Sequence, residues 1–231
     1  MKTIFPRKIF LYLLAGIFII AVTGCGKRSN ETGGSSSTSV PIFVDFTTYS
    51  YFPEAPWTDL TSGWSSADWS ITSAGANFNP QGSDPNDALL SYNSYTDAGV
   101  DTSVSGTIMT IASSGQFGLY LWASSDLSTG YYQLIFDIAT GSVTINKTIE
   151  GGSTTMLASA SWTLNDADFH TYKFSLSGSG STTLTLTGYV DSSSKLQVID
   201  DSGISTSYGY TGFFFNNISN ATISAYQITQ P

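Results

Sequence analysis

The stretch that decides the fold is Phe169–Val198, which reads FHTYKFSLSGSGSTTLTLTGYVDSSSKLQV. In its first part every second residue belongs to one set, namely His170, Tyr172, Phe174 and Leu176, and polar residues lie between them. Successive side chains of a β-strand point to opposite faces, so this period of two predicts a half-buried strand. A break rich in Gly and Ser precedes a second alternating run, which predicts a second strand after a turn.

The same alternation recurs from Pro41 to the end of the chain. The run FGLYLWA places Phe117, Leu119 and Leu121 on one face, and similar runs contain residues 132–138, 143–149 and 156–162. No window of this region has the apolar stripe of an amphipathic helix. Many short strands separated by Gly, Ser, Asn and Asp predict an all-β domain, either an antiparallel sandwich or a barrel.

Three segments resemble the laminin-G and concanavalin A-like group of sandwich domains. In Phe169–Val198 an aromatic–His pair opens a strand, and the pattern L-x-L-x-x-Y-V-D begins the returning strand. The segment FVDFTTYS with GWSSADWSITSAG, and the closing segment GYTGFFFNNISNATISAYQI, resemble the first and last strands of the group. The resemblance implies an all-β, antiparallel jelly-roll sandwich of two curved sheets. It also implies a structural role for the histidine, and it implies no reaction.

The N-terminal residues have the parts of an export signal. A basic start precedes the apolar run Ile9–Val22, which is shorter than the roughly 20 residues that span a bilayer. The sequence VTGC then ends at Cys25, the only cysteine of the chain, and resembles the lipobox of bacterial lipoproteins. The resemblance implies that the signal is removed and that Cys25 is acylated, which anchors the protein to a membrane. An uncleaved membrane anchor is the alternative.

These features divide the chain into three parts: a signal peptide at 1–24, a lipidated and flexible tether at 25–40, and a sandwich domain at 41–231. The tether is rich in Ser, Thr and Gly and has no hydrophobic period. In the lipoprotein family an aspartate after the cysteine often retains the protein at the inner membrane. This chain has Gly26 at that position, which favours the outer membrane or the cell surface.

The predicted domain is strongly acidic. Residues 41–231 contain three lysines, no arginine and sixteen acidic residues, for a formal charge of −13. A phosphate backbone would be repelled, so nucleic acid is excluded as a partner. The lack of arginine also argues against the lyases and sialidases of this sandwich group, which bind carboxylates through arginine.

The sequence contains no recognisable catalytic constellation. Retaining glucanases of the group carry two glutamates in an E-x-D-x-x-E pattern, whereas this domain has only Glu54 and Glu150, in no such pattern. A serine triad would need His170, the only histidine, but no serine lies in G-x-S-x-G. We therefore expect no enzyme activity, and an enzyme of unfamiliar site design is the alternative. His170 is predicted to be partly buried and bonded to a loop group.

Oxygen-rich loops contain the candidate metal ligands. Asp84 and Asp87 lie in GSDPND, and Asp166 and Asp168 lie in NDAD. Calcium takes about six to eight oxygen ligands from such loops, so these aspartates are candidates for binding a structural Ca²⁺ ion. The alternative is that they form turns without a metal, which is common for Asp and Asn. No other cofactor is indicated.

Aromatic and amide side chains predict a ligand-binding face. Tyr120 and Trp122 are out of phase with the apolar set of their strand, as are Tyr131 and Gln133 on the next strand. Asn146 continues this face on a third strand. Sugar rings stack on aromatic side chains and sugar hydroxyls bond to amides, so these five residues are candidates for binding a glycan or polysaccharide. The alternative is that both faces of these strands are buried.

The sequence as a whole predicts an exported, lipid-anchored surface protein with a non-catalytic, carbohydrate-binding sandwich. An adhesin or structural surface protein that binds another protein is the alternative, and a glycan-active enzyme is the third candidate.

Overall fold

The alternating segments form strands in the part of the chain that the structure describes. This computed structural model describes residues 41–52, 57–59, 68–80, 88–92, 101–124, 127, 130–149, 151–163, 167–178, 183–204 and 209–230. Cys25 with the predicted signal and tether, and the candidate metal ligands Asp84, Asp87 and Asp166, lie outside the described residues. In the described ranges we find no helix with the length and apolar character needed to cross a membrane.

Within these ranges the chain forms fifteen strands and one short 3₁₀ turn, Phe46–Thr48. The strands are β1 (Ile42–Asp45), β2 (Trp57–Asp59), β3 (Trp69–Thr72), β4 (Gly75–Phe78), β5 (Ala88–Tyr92), β6 (Thr102–Thr110), β7 (Gln116–Ala123), β8 (Gly130–Asp137), β9 (Ser142–Ile149), β10 (Thr154–Ser161), β11 (His170–Ser177), β12 (Leu184–Val190), β13 (Ser193–Asp200), β14 (Tyr210–Asn216) and β15 (Ala221–Thr229).

The strands form two antiparallel sheets. The first sheet has the order β13-β12-β11-β6-β15-β4-β3, and β1 also pairs with β15. The second sheet has the order β10-β9-β8-β7-β14-β5-β2. Consecutive strands are neighbours in β7–β10 and in β11–β13, whereas β14 and β15 return to pair with β7 and β6. This arrangement confirms the predicted fold class, an all-β antiparallel jelly-roll sandwich.

The core lies between the two sheets and is rich in aromatic rings. Phe215 of the second sheet stacks on Phe78 of the first sheet, with ring centroids 5.3 Å apart. Phe117 and Phe136 stack on each other, and Tyr172 of the first sheet meets the Phe117 ring edge-on at 4.9 Å. Burying each large apolar side chain contributes roughly 1.5–3 kcal/mol, so these contacts hold the sheets face to face.

The hairpin between β12 and β13 gives His170 its partner. Its two turn residues, Asp191 and Ser192, both have positive φ (48° and 66°), as a two-residue type I′ turn requires. His170 Nδ1 lies 2.6 Å from Asp191 Oδ2, and the Thr171 amide donates to Asp191 Oδ1 at 3.0 Å. The predicted placement of His170, partly buried and bonded to a loop group, is confirmed.

A buried ion pair joins the two sheets. Lys147 on β9 lies with its Nζ 2.9 Å from Oδ2 of Asp200, at the end of β13. The Tyr132 hydroxyl donates to the same oxygen at 2.7 Å, and the Ser202 amide donates to Oδ1 at 3.1 Å. Burial alone would raise the pKa of Asp200, but these donors outweigh it and lower the pKa, so the carboxylate stays charged.

Candidate functional site

The outer face of the second sheet carries side chains that are out of phase with the core. At one end of this face the strand register aligns five polar residues from five neighbouring strands. We call this line the polar row; it consists of Asn216 on β14, Gln116 on β7, Asp137 on β8, Ser142 on β9 and Ser161 on β10. Neighbouring strands lie about 4.8 Å apart, so the row spans roughly 19 Å across the sheet.

Hydrogen bonds order the first three side chains of the polar row. Gln116 Nε2 donates to Asp137 Oδ2 at 2.8 Å, and Asn216 Nδ2 donates to Gln116 Oε1 at 3.5 Å. The Thr140 amide donates to Asp137 Oδ1 at 2.9 Å. Burial would raise the pKa of Asp137, but the bonds from Gln116 and from the backbone amides lower it. The row therefore contains an ionised carboxylate whose position is set by two neighbours.

A polar cavity of about 370 Å³ opens at this end of the row. This size is within the range of small-molecule sites, roughly 300–1,000 Å³. The residues that line it are mostly polar: Ser114, Gly115, Gln116, Asp137, Ala139, Asn216 and Asn217. The amides and the carboxylate therefore provide both hydrogen-bond donors and acceptors to a ligand in the cavity.

The shape of the cavity depends on two turns with left-handed backbone conformations. Gly115 before β7 has φ of 102°, and Asn217 after β14 has φ of 54°. A Cβ atom at Gly115 would lie 2.4 Å from the carbonyl oxygen of Asn217, so only glycine fits there. The Ile138 amide also donates to the Gly115 carbonyl at 3.0 Å. Three connections of the second sheet are thus held together around the cavity.

Four of the five predicted binding residues lie on the outer face. Register pairs Tyr120 with Gln133 and Gln133 with Asn146, and Tyr131 lies two residues from Gln133 on the same strand. Tyr131, Gln133 and Asn146 are partly buried. Four residues along the strand separate this group from the polar row, a distance of about 13 Å.

The prediction that Trp122 lies on this face is wrong. Trp122 is 1% exposed and belongs to the core between the sheets, where its ring lies 6.4 Å from that of Tyr132. Its φ of 55° and the register shift opposite Thr211 show a β-bulge, in which β7 has one more residue than β14. The bulge interrupts the alternation, so Leu121 and Trp122 both face the core.

Tyr120 lies on the outer face but is fully buried. It packs with Ala123 and Phe214, and partly buried neighbours such as Tyr131 and Tyr210 contact this group. At this part of the face the alternative expectation, burial on both sides of the strand, is therefore correct for Tyr120. The open aromatic platform predicted from the sequence is not present at Tyr120 and Trp122, whereas the members of the polar row are partly buried or exposed.

The candidate calcium ligands stay a prediction. Of the four aspartates only Asp168 lies within the described residues, where it is exposed. In the described ranges, no three His, Cys, Asp or Glu side chains converge as a metal site would need.

The sequence alone does not reveal the polar row, because its members come from distant parts of the chain. Asp137 shares a face with Gln133 on one strand, but Gln116 and Asn216 are 100 residues apart in sequence. Their side chains meet only because β14 returns to pair with β7. The one local signal is the amide at the first position of β7, directly before its apolar alternation.

No protein-family model matches the chain, and no curated protein matches its sequence. Solved structures do match it. The β-glucanase of Bacillus licheniformis is 15% identical, with 87% of this chain and 100% of that chain covered and a TM-score of 0.56. A carbohydrate-binding module of Bacillus subtilis (CBM66) is 17% identical, with 73% and 91% covered and a TM-score of 0.52. A prokaryotic β-1,3-1,4-glucanase from a mouse hindgut metagenome is 13% identical, with 84% and 100% covered and a TM-score of 0.55.

The fold is the concanavalin A-like jelly roll. At these identities the similarity shows the fold alone, and these proteins include both enzymes and a binding module.

Proposed function

We propose that the protein is an exported, lipid-anchored surface protein whose sandwich binds carbohydrate at the polar row without cleaving it. The observation that carries this proposal is the alignment of amide, carboxylate and hydroxyl side chains from five strands, with a polar cavity at one end. A sugar chain presents hydroxyl groups at regular intervals, each able to donate and to accept a hydrogen bond. A row with a polar side chain about every 4.8 Å is suited to such a ligand.

The chemistry of the row supports binding rather than hydrolysis. A retaining glycosidase needs two carboxyl groups about 5 Å apart, one as nucleophile and one as acid. The polar row contains one carboxylate, Asp137, and its neighbours are amides and hydroxyls. The lowered pKa of Asp137 also makes it a poor proton donor at neutral pH.

The matched structures support a carbohydrate ligand at the level of the fold. One is named as a carbohydrate-binding module and two as β-glucanases. Proteins named for binding or cleaving carbohydrate thus share this sandwich, although a shared fold alone does not establish a shared function.

The lipid anchor is proposed from the lipobox-like sequence that ends at Cys25. Labelled palmitate should be incorporated into the wild-type protein, and globomycin should block its processing. Cys25→Ala should abolish both effects. If labelling and globomycin-sensitive processing survive in Cys25→Ala, the anchor is wrong.

Carbohydrate binding is tested with the full chain in detergent on a glycan array, with free sugar as competitor. Gln116→Ala should weaken binding severalfold or more, because it removes the amide that bridges Asn216 and Asp137. The matched control is Gln197→Ala, which removes an amide that donates one hydrogen bond, to Thr187, in the first sheet. A flat array together with a protein partner in a pull-down would favour the adhesin instead.

A further inference from the structure

The hydrogen bonds of the polar row run in one direction. Asn216 donates to the Gln116 carbonyl oxygen, and Gln116 in turn donates to Asp137. Each step uses an amide N–H group within the row, and the chain of donors ends on the carboxylate. Gln116 and the Thr140 amide donate one hydrogen bond to each carboxylate oxygen of Asp137, and the Ala139 amide and the Thr140 hydroxyl also interact with this carboxylate. Asp137 lines the cavity and is only partly buried, so a ligand in the cavity meets this carboxylate.

The Asp137 side chain brings a negative charge to the cavity. The bonds from Gln116 and the backbone hold the pKa of Asp137 below its usual value even though burial opposes this, so the carboxyl group is ionised at neutral pH. Of the described residues that line the cavity, none carries a positive charge. A ligand group beside Asp137 consequently meets a carboxylate without a neutralising cation in the lining.

The three lysines of the domain lie elsewhere. Lys147 is paired with Asp200, and Lys173 lies over the Tyr189 ring in the first sheet. Lys195 lines a second cavity of about 240 Å³ together with Ser161, at the far end of the polar row. That end of the row, on β10, is two strands away from β8 and its carboxylate. Two strand spacings are roughly 10 Å, which is more than the Debye length of about 8 Å at physiological salt.

We infer that the cavity beside Asp137 selects glycans that present uncharged hydroxyl groups or amino groups, and rejects uronates, sialic acids and sulfated sugars. A hydroxyl or an amino group donates a hydrogen bond to the carboxylate, whereas an acidic group has only acceptor oxygens and a like charge. This inference rests on the proposed function, since it names the class of carbohydrate that the same site binds.

The test compares one glycan with its own oxidised form. Each neutral glycan that binds the full chain on the array is oxidised at its C6 hydroxyls to carboxylates, which leaves the linkage and the ring configuration unchanged. The affinities of the two forms are then measured in the same buffer at physiological salt. We expect the oxidised form to bind at least about tenfold more weakly, because like charges in contact are strongly unfavourable.

Two variants test whether Asp137 causes this selectivity. Asp137→Asn should reduce the ratio of the affinity for the neutral glycan to the affinity for its oxidised form by severalfold. The amide keeps the shape of the carboxyl group without its charge. Asp201→Asn is the matched control: it removes the same unit of charge from an exposed residue directly after β13 in the first sheet, and it should leave the ratio unchanged.

The outcomes separate this inference from the proposed function. If acidic glycans bind as tightly as neutral ones, or if Asp137→Asn leaves the ratio unchanged, the selectivity is wrong while carbohydrate binding stands. If no glycan of either kind binds, the proposed function fails, and the inference fails with it. Tighter binding of the neutral form in the wild type, lost in Asp137→Asn and kept in Asp201→Asn, supports both.

Discussion

Lys147 and Asp200 form a buried ion pair that links β9 of one sheet to β13 of the other, with 2.9 Å between Nζ and Oδ2. Lys147 also donates to the carbonyl oxygen of Ser202 at 2.7 Å. Burial and the bond to Asp200 raise the pKa of Tyr132, so its hydroxyl stays protonated and remains a donor to the carboxylate. The pair is thus surrounded by bonds that offset the cost of removing two charges from water.

Breaking this pair should be strongly destabilising. Lys147→Met leaves Asp200 buried without its cation, and we expect the free energy of unfolding to fall by about 3–5 kcal/mol. Lys173→Met is the matched control, because Lys173 lies over the Tyr189 ring at 5.4 Å and has no part in the pair. Urea unfolding of the full chain measures both variants. Equal losses in the two variants would show that the ion pair has no special role.

Protonation of Asp191 at acidic pH should reduce the stability of the β12–β13 hairpin. Burial opposes ionisation of Asp191, but the bonds from His170 and the Thr171 amide lower its pKa below the unfolded value of 3.8. The charged form is favoured by folding, so this contribution is complete above the unfolded pKa and is lost as the pH falls through the lower, folded pKa.

Asp191→Asn removes that contribution and tests its sign. The difference in unfolding free energy between wild type and Asp191→Asn should shrink as the pH falls below about 4, near the unfolded pKa of 3.8. Urea unfolding at a series of pH values measures the difference. A difference that grows as the pH falls below about 4, where Asp191 takes up its proton, would contradict the assignment.

His170 should matter for stability and not for binding. His170→Ala removes the bond to Asp191, and a hydrogen bond of this kind contributes about 0.5–1.5 kcal/mol. His170 begins β11 in the first sheet, whereas the polar row lies on the second sheet, so glycan affinity should stay at the wild-type value. An intact fold with lost ligand binding would overturn this structural role.

Trp122 should behave as a core residue. Trp122→Ala removes a side chain that is 1% exposed, and truncating a buried aromatic residue costs about 3–5 kcal/mol. Tyr131→Ala, on the partly buried outer face, should cost less. Thermal unfolding compares the two variants. If the Trp122→Ala protein has wild-type stability and weakened glycan binding, the core assignment is wrong and the predicted aromatic platform is supported.

The local alternation of apolar and polar residues was enough to predict most of the strands and many of the side chains that face the core. In 132–136 of β8 and 143–145 of β9 every second residue is apolar, and the observed core positions Tyr132, Leu134, Val143 and Ile145 follow that period. The phase of His170 within β11 likewise predicted its partial burial. Such features depend only on residues one or two positions apart, because the strand itself sets the direction of each side chain.

Tertiary structure alone decided which side chains from distant strands meet. The bulge that turns Trp122 into the core exists because β7 has one more residue than its partner β14 over the same length. In the sequence nothing relates Lys147 to Asp200, and they meet only because the two sheets pack against each other. The polar row forms only when β14 returns beside β7 and brings Asn216 to Gln116. Strand pairing and register are non-local, so an alternating pattern predicts which face a residue occupies but not which residues share it.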